Sequence, residues 1–132
     1  MLGELEGKNR IVLCDMEAGL GTLSRVHPGQ VDLVLVVAEP SAKGVDVARR
    51  AAQIAATRAG VIVVANRIRD ESDMAAIQDA LGEYELVAVP EEPAILRADR
   101  EGLAPIDVAE DAPGIQALRS LAERAVAYGS QP

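Results

Sequence analysis

Carboxylate and amide side chains follow the apolar runs of this sequence, at the points where the runs stop. Asp15 ends the run at residues 11–14, and Glu39 and Asn66 each follow a later run directly. In open α/β proteins, ligands bind outside the carboxyl ends of parallel strands. Mg²⁺ keeps most of its waters and takes one or two carboxylates together with phosphate oxygens. The pattern predicts a magnesium ion held by Asp15 through water; the alternative is a strand that simply stops at a polar residue.

The composition favours a single aliphatic domain that binds neither nucleic acid nor membrane. The chain has 132 residues, of which 49% are hydrophobic, and it contains two tyrosines but no phenylalanine or tryptophan. The core must therefore be aliphatic, and no aromatic platform is available on which nucleic-acid bases could stack. The net charge of −8 argues against a phosphate backbone or an anionic membrane surface as the partner.

Several features of the sequence predict a cytoplasmic protein. No apolar run approaches the roughly 20 residues of a membrane-spanning helix, and the acidic start of the chain lacks a signal-peptide pattern. Cys14 is the single cysteine, so an intrachain disulfide is excluded and a reducing compartment fits. Within a predicted strand, Cys14 is expected to be a small buried hydrophobe. His27 lacks a second histidine or cysteine with which to share a metal and is expected to lie in a solvated loop.

Four apolar runs predict the strands of a sheet. They lie at residues 10–15, 31–38, 61–65 and 86–89, and the second of them is a continuous β-branched run of the kind found in strands covered on both faces. Helical patterns alternate with the later runs, which is typical of α/β folds. We expect three layers, with a mostly parallel sheet of about four strands and helices on both faces. The whole chain, 1–132, is expected to form one domain, with a frayed lead-in at residues 1–9.

Local signals place the helices. Ser41 is a suitable N-cap for a helix over about residues 42–59, which Gly60 would close. Further helical segments are expected at residues 20–26, at 69–81 with a polar turn and helix start at 69–73, at 93–100 with Gly102 after it, and from Asp111 onward, with a loop at residues 103–110. Right-handed crossovers between parallel strands would then bring the polar residues at the strand ends to one edge of the sheet. These residues are Asp15, Glu39, Asn66 and Glu91.

Four segments carry a resemblance to a known family. Residues 12–25, VLCDMEAGLGTLSR, and residues 31–41, VDLVLVVAEPS, hold a D-x-E-A-G motif and an E-P-S turn. Residues 63–67, VVANR, and 89–92, VPEE, follow at the next two strands. Together, these segments resemble the MinD/ParA-type deviant-Walker ATPases, and most of all the CooC branch, the nickel-insertion accessory ATPases of carbon monoxide dehydrogenase. The resemblance covers about residues 10–126.

The resemblance implies roles for the residues on the magnesium side of a nucleotide site. Asp15 would hold the magnesium ion through water. Glu17, Ala18 and Gly19 would form the switch segment that senses the γ-phosphate of ATP. Glu39 would lie at the same edge of the sheet, in the E-P-S turn.

The resemblance also implies roles on the base side. Asn66 would hydrogen-bond the adenine edge, which suits an amide that presents a donor and an acceptor together. Arg67 and the segment Pro90, Glu91 and Glu92 would flank the base. The alternatives are that Asn66 is a helix cap or turn residue and that the two glutamates form a solvated turn.

The phosphate-binding loop of the family has no counterpart in these residues. The family carries G-K-G-G-x-G-K-T or a close variant on its first strand, whereas the only lysines here are Lys8 and Lys43. Backbone amides and a lysine cradle the phosphates in such proteins. The family's C-x-C metal motif is also absent, and Cys14 alone could not chelate nickel. Weak ATP or ADP binding with Mg²⁺ is expected, and ATP hydrolysis by this chain alone is not.

The missing loop has a consequence for the sheet. In this family the phosphate-loop strand lies between the strand ending at Asp15 and the one at residues 31–38. Either residues 11–14 pair directly with residues 33–37, or another chain fills the gap, because unpaired backbone in a buried sheet is costly. A dimer, or a complex with a protein that supplies the missing half, is therefore expected.

Three functions are consistent with the sequence. The first is a degenerate nucleotide-binding accessory protein that works with a partner as a regulatory or maturation factor. The second is an interaction or scaffold protein that is derived from the same fold and binds no nucleotide. The third, a phospho-acceptor domain with Asp15 as acceptor, lacks the acidic pair and the later lysine that receiver domains need.

Overall fold

The computed structural model describes residues 10–16 and 20–129. The elements in chain order are α1 (Leu20–Leu23), β1 (Leu33–Ala38), α2 (Ala42–Ala56), β2 (Gly60–Ile68), α3 (Glu71–Leu81), β3 (Glu85–Pro90), α4 (Pro93–Glu101), α5 (Pro105–Val108) and α6 (Pro113–Gly129). None of the helices in these ranges is both long and apolar enough to cross a membrane.

The three strands form one parallel sheet in the order β1-β2-β3. Val64 in β2 lies opposite Val37 in β1 and Val87 in β3. Helices cover both faces, so the predicted α/β class is confirmed, with three strands rather than about four.

The predicted first strand is wrong. Residues 10–16 belong to no helix or strand, and the side chains of Ile11 and Leu13 are 73% and 86% exposed. Cys14 is exposed rather than buried. An apolar run forms a strand only where a neighbouring strand pairs with it and other elements cover it, and among the described residues β1 pairs with β2 alone. Direct pairing of residues 11–14 with β1 is therefore also excluded.

Two aliphatic clusters fill the space between the layers. On one face of the sheet, Val63 and Ala65 pack with side chains of α2 and α3, among them Ala52 and Ile77. On the other face, the cluster contains Leu121 of α6 together with residues of β2 and β3, which are Ile62, Val64, Val87 and Val89. Alternation along β2 thus sends odd-numbered side chains to α2 and α3 and even-numbered ones to α6.

Caps define the ends of the helices largely as predicted. The Ser41 hydroxyl accepts a hydrogen bond of 3.0 Å from the Gly44 amide and caps α2. Gly102, with φ of +66°, ends α4 in the left-handed region that glycine tolerates. Gly60 was expected to close α2 but begins β2 instead; α2 ends at Ala56, with Thr57 as its C-cap. The predicted loop at 103–110 contains the short helix α5.

Candidate functional site

A cleft lies at the carboxyl edge of the sheet. Its volume is about 220 Å³, and its walls come from the segments that follow β1 and β3 and from the end of β2. The lining residues are Glu39, Pro40, Ser41, Arg67, Arg69 and Glu91. Two of the four residues that the sequence places at this edge, Glu39 and Glu91, therefore share one cleft with Arg67, which the resemblance places beside the base.

A β-bulge at Arg67 shapes the floor of this cleft. Asn66 pairs with Val89 and Ile68 pairs with Pro90, so Arg67 is an extra residue in β2. Its φ of +58° lies in the left-handed region, which costs a non-glycine residue roughly 1–2 kcal/mol. Bulges re-aim side chains and are frequent beside functional sites. The Arg67 guanidinium points across the cleft to Glu39, with 3.4 Å between Nη1 and Oε1.

The Arg67–Glu39 pair leaves both charges accessible. Each side chain is more than half exposed, and an exposed pair at this distance contributes little to stability. A polar or charged ligand could therefore displace either group at small cost.

A second arginine of the cleft is fixed by a buried aspartate. Asp73 accepts hydrogen bonds from the backbone N–H and Nε of Arg69, both at 3.0 Å, and from Nη2 at 3.1 Å. It is the one charged residue that is buried in the described part of the chain. The bonds from the Arg69 side chain, and then the one from its backbone, hold the pKa of Asp73 below its ordinary value. The bidentate contact fixes the turn between β2 and α3.

The N-cap of α3 completes this turn. Asp70 accepts from the Ser72 hydroxyl at 2.7 Å and from the Asp73 amide at 3.0 Å. These two bonds, in that order, lower the pKa of the Asp70 carboxyl. Sequence reasoning treated residues 69–73 as a polar turn and helix start and missed the contact between Arg69 and Asp73. The signal was an arginine four residues before an aspartate at the start of a helix.

Asn66 lies next to the cleft but does not line it. By alternation it shares the α6 face of β2 with Ile62 and Val64, and it is partly buried. Its side chain forms no hydrogen bond with any other residue that the structure describes. The amide therefore keeps a donor and an acceptor available at the carboxyl end of β2.

Glu92 makes contacts that serve the fold. Its carboxylate accepts from the Ala94 amide at 3.1 Å and from the Gly114 amide at 3.3 Å, so it joins the N-termini of α4 and α6. A Cβ at Gly114 would lie 2.6 Å from the Cβ of Glu92, which explains glycine at that position. Pro90 ends β3 and does not line the cleft. Roles for Pro90 and Glu92 beside a base remain predictions.

The magnesium-side residues are not assembled in the cleft. Asp15 is exposed in a segment without regular structure and is absent from the cleft lining. Glu17, Ala18 and Gly19 lie outside the described residues. Within residues 10–16 and 20–129, no three His, Cys, Asp or Glu side chains are grouped so as to hold a metal ion. The expectation that a strand delivers Asp15 to this edge is wrong, and its magnesium role remains a prediction.

The sequence of this chain is distantly similar to that of a curated protein. It resembles the carbon monoxide dehydrogenase accessory protein CooC of Rhodospirillum rubrum. The two sequences are 29% identical over 107 residues, which cover 79% of this chain and 41% of CooC. The chain thus spans less than half the length of this relative, and no family model matches it. The similarity supports the predicted CooC-like relationship.

The charges and the size of the cleft limit the ligand that it could hold. Arg67 and Arg69 face Glu39 and Glu91, and Arg69 is already engaged by Asp73. A triphosphate needs a concentrated positive field, and this lining is balanced. The volume is also below the roughly 300–1,000 Å³ of typical small-molecule sites. The residues present do not fit the phosphates of a nucleotide.

Proposed function

We propose that this chain is a CooC-like accessory protein of the carbon monoxide dehydrogenase system that keeps the base side of a nucleotide site. The single observation that carries the proposal is the cleft at the carboxyl edge of the sheet, which the E-P-S turn, Arg67, Arg69 and Glu91 build together. The similarity to CooC over 79% of the chain supports it.

In this proposal the nucleotide is bound weakly and from its base end. Asn66 hydrogen-bonds the base edge, and Arg67 and Glu91 flank it from two walls of the cleft. In the absence of a ligand, Glu39 forms an ion pair with Arg67. Asp15 and the segment Glu17, Ala18 and Gly19 act on the phosphate side through magnesium.

The phosphate side depends on a partner. The 132 residues contain no G-K-[ST] loop; Lys43 does not line the cleft, and Lys8 lies outside the described residues. Most of the electrostatic stabilisation of phosphoryl transfer comes from such a loop and its metal ion. The chain is therefore expected to bind ATP or ADP without hydrolysing it alone, and to act as a regulatory or maturation factor in a complex.

Calorimetric titration of ATP and ADP with Mg²⁺ tests the proposal. We expect a millimolar dissociation constant for the wild type and about five- to tenfold weaker binding for Asn66→Ala, which is the effect of losing about 1 kcal/mol of hydrogen bonding. Asp15→Ala should weaken binding only when Mg²⁺ is present. The matched control is Gln53→Ala, which removes an exposed amide on α2.

Two results would contradict the proposal. One is the absence of heat and of any thermal shift at several millimolar nucleotide. The other is equal binding by wild type and Asn66→Ala. Hydrolysis by the isolated wild type would contradict the assignment of the phosphate side to a partner.

A scaffold protein that binds no nucleotide is the second candidate. The ion pairs of the cleft arginines favour this second candidate, because Arg67 pairs with Glu39 and Arg69 pairs with Asp73 without any ligand. In that case the same titration would give no heat, and the variants would differ only in stability.

A further inference from the structure

The Arg69 guanidinium is held in one orientation at the cleft. Asp73 accepts hydrogen bonds from Nε and Nη2 of this arginine at 3.0 and 3.1 Å, and from its backbone N–H as well. The Asp73 side chain is only 9% exposed, and the Asp70 cap binds the Asp73 amide. A long side chain normally loses conformational freedom when it binds a ligand. For Arg69 much of that loss has occurred before any ligand binds.

Three N–H groups of this guanidinium remain available to a ligand. A guanidinium carries five N–H groups, and the Asp73 carboxylate accepts from two of them. The other three, both on Nη1 and one on Nη2, form no hydrogen bond with any residue in the described ranges 10–16 and 20–129. Arg69 lines the cleft whereas Asp73 does not, and 60% of the Arg69 side chain is exposed. The cleft therefore contains a fixed, planar pair of donors, one on each Nη atom.

Glu91 supplies an acceptor close to this donor pair. Its side chain is exposed in the lining of the cleft, and its carboxylate accepts no hydrogen bond from the residues that the structure describes. The hydrogen bond and charge of Asp73 raise the pKa of the Arg69 guanidinium, and the charge of Glu91 raises it further. Arg69 and Glu91 thus present donors and acceptors to the same space.

The two purine bases differ in how they match this lining. Guanine presents two neighbouring acceptors, N7 and O6, on one edge, and its next edge carries the donors N1–H and N2–H₂. Adenine presents the N7 acceptor beside the N6–H₂ donor, so one N–H of a fixed arginine would face another donor. A donor that is left unpaired in this way weakens binding. A fixed arginine beside a carboxylate therefore favours guanine.

We propose that Arg69 and Glu91 make the cleft selective for guanine over adenine. The N–H pair of Arg69 binds N7 and O6, and the Glu91 carboxylate accepts from N1–H and N2–H₂. Asp73 is a positioning residue, because it fixes the arginine without touching the ligand. This inference rests on the proposed function, since it requires a purine base in the cleft, and it names the base that binds more tightly.

The ratio of the dissociation constants of ADP and GDP tests the proposal. Both ligands have the same ribose and phosphates, so the ratio measured by calorimetry with Mg²⁺ reports on the base. We expect GDP to bind the wild type about tenfold more tightly than ADP, which lies within the discrimination that one bidentate contact to a base provides. A ratio of one, or tighter binding of ADP, would overturn the proposal.

Substitutions assign the preference to individual side chains. Arg69→Ala should bring the ratio close to one, and Asp73→Asn should reduce it to about two- to fourfold, because the arginine is then present but less firmly held. The matched control is Arg49→Ala, which removes an arginine that pairs with Asp46 on α2 outside the cleft and should keep the tenfold ratio. Partial unfolding weakens the apparent binding of both ligands by the same factor, so a loss of stability leaves the ratio unchanged. A tenfold ratio that persists in Arg69→Ala would overturn the proposal.

The role of Glu91 is tested by Glu91→Gln. This change replaces one acceptor oxygen by an NH₂ group, which would face the guanine donors, so the ratio should fall severalfold. An unchanged ratio would overturn the assignment of Glu91.

The same titrations separate this inference from the proposed function. Equal binding of ADP and GDP, weakened for both ligands by Asn66→Ala, would reject only the preference for guanine. A tenfold preference for GDP, with no loss of affinity in Asn66→Ala, would support this inference and reject the role proposed for Asn66. The absence of heat with either ligand would reject both.

Discussion

The two lateral edges of the sheet, which are formed by the outer strands β1 and β3, differ from each other. β3 begins with Glu85, which forms a salt bridge of 2.7 Å with Arg124 of α6, and it ends with Pro90, which has no N–H. Its exposed interior residue is the small Ala88. β1 has none of these features and exposes Val37. One edge is thus built to face solvent, and the other has the composition of a strand inside a sheet.

The largest difference between these edges is expected when valine is replaced by alanine at the two positions that flank Val64 in the sheet, Val37 and Val87. Val87→Ala should lower the free energy of unfolding by about 2 kcal/mol, because Val87 is only 8% exposed and packs beneath α6. Val37→Ala should change it by less than about 0.5 kcal/mol. Urea denaturation measures both. A cost at Val37 as large as that at Val87 would mean that the Val37 side chain is already covered in the isolated chain.

A smaller effect is expected at the segment that follows β3. Glu92→Ala removes the cap of α4 and the bond to Gly114, so the free energy of unfolding should fall by about 1–2 kcal/mol. Its control is Glu91→Ala, at the exposed neighbouring carboxylate, which should stay within about 0.5 kcal/mol of wild type. Equal losses in the free energy of unfolding for the two variants would show that the Glu92 carboxylate does not stabilise the junction of α4 and α6.

The smallest effect is expected from acid titration of the turn between β2 and α3. The pKa values of Asp70 and Asp73 are lowered in the folded chain, so their stabilising effect is complete above the unfolded pKa of about 3.9. It is lost as the pH falls through the lower folded values. The melting temperature should therefore be flat from neutral pH down to about pH 5 and should fall below about pH 4.

Asp73→Asn provides the comparison for that titration. The variant should melt at a lower temperature at neutral pH and should lose part of the acid dependence, because one of the two titrating groups is gone. Asp79→Asn, at an exposed aspartate of the same helix, should keep the profile of the wild type. An unchanged acid profile in Asp73→Asn would show that this carboxylate does not stabilise the fold through its charge.

Elements whose signals are local could be predicted from the sequence. The β-branched run of β1, the Ser41 cap and the glycine after α4 act within a few residues, and the structure confirms all three. The predicted strand at residues 10–15 failed because an apolar run has no strand geometry of its own without a neighbour to pair with. The short helix α5 was missed because four residues carry little periodicity.

The candidate site was predictable only in outline. Topology alone brings Glu39 and Glu91 to one edge, since both directly follow parallel strands. The bulge at Arg67 depends on the register between β2 and β3, and the bond between Glu92 and Gly114 spans 22 residues of chain. No spacing in the sequence encodes either of these contacts.

The bulge at Arg67 also reverses the phase of the pleat. Before it, odd-numbered side chains of β2 face α2 and α3, whereas after it the even-numbered Ile68 packs on that side. Deletion of Arg67 would turn the Ile68 side chain to the opposite face of the sheet. It would also displace Asp70 from its position as the N-cap of α3. Because of this extra residue, Asn66 and Ile68 lie on opposite faces of one continuous strand, although both have even numbers.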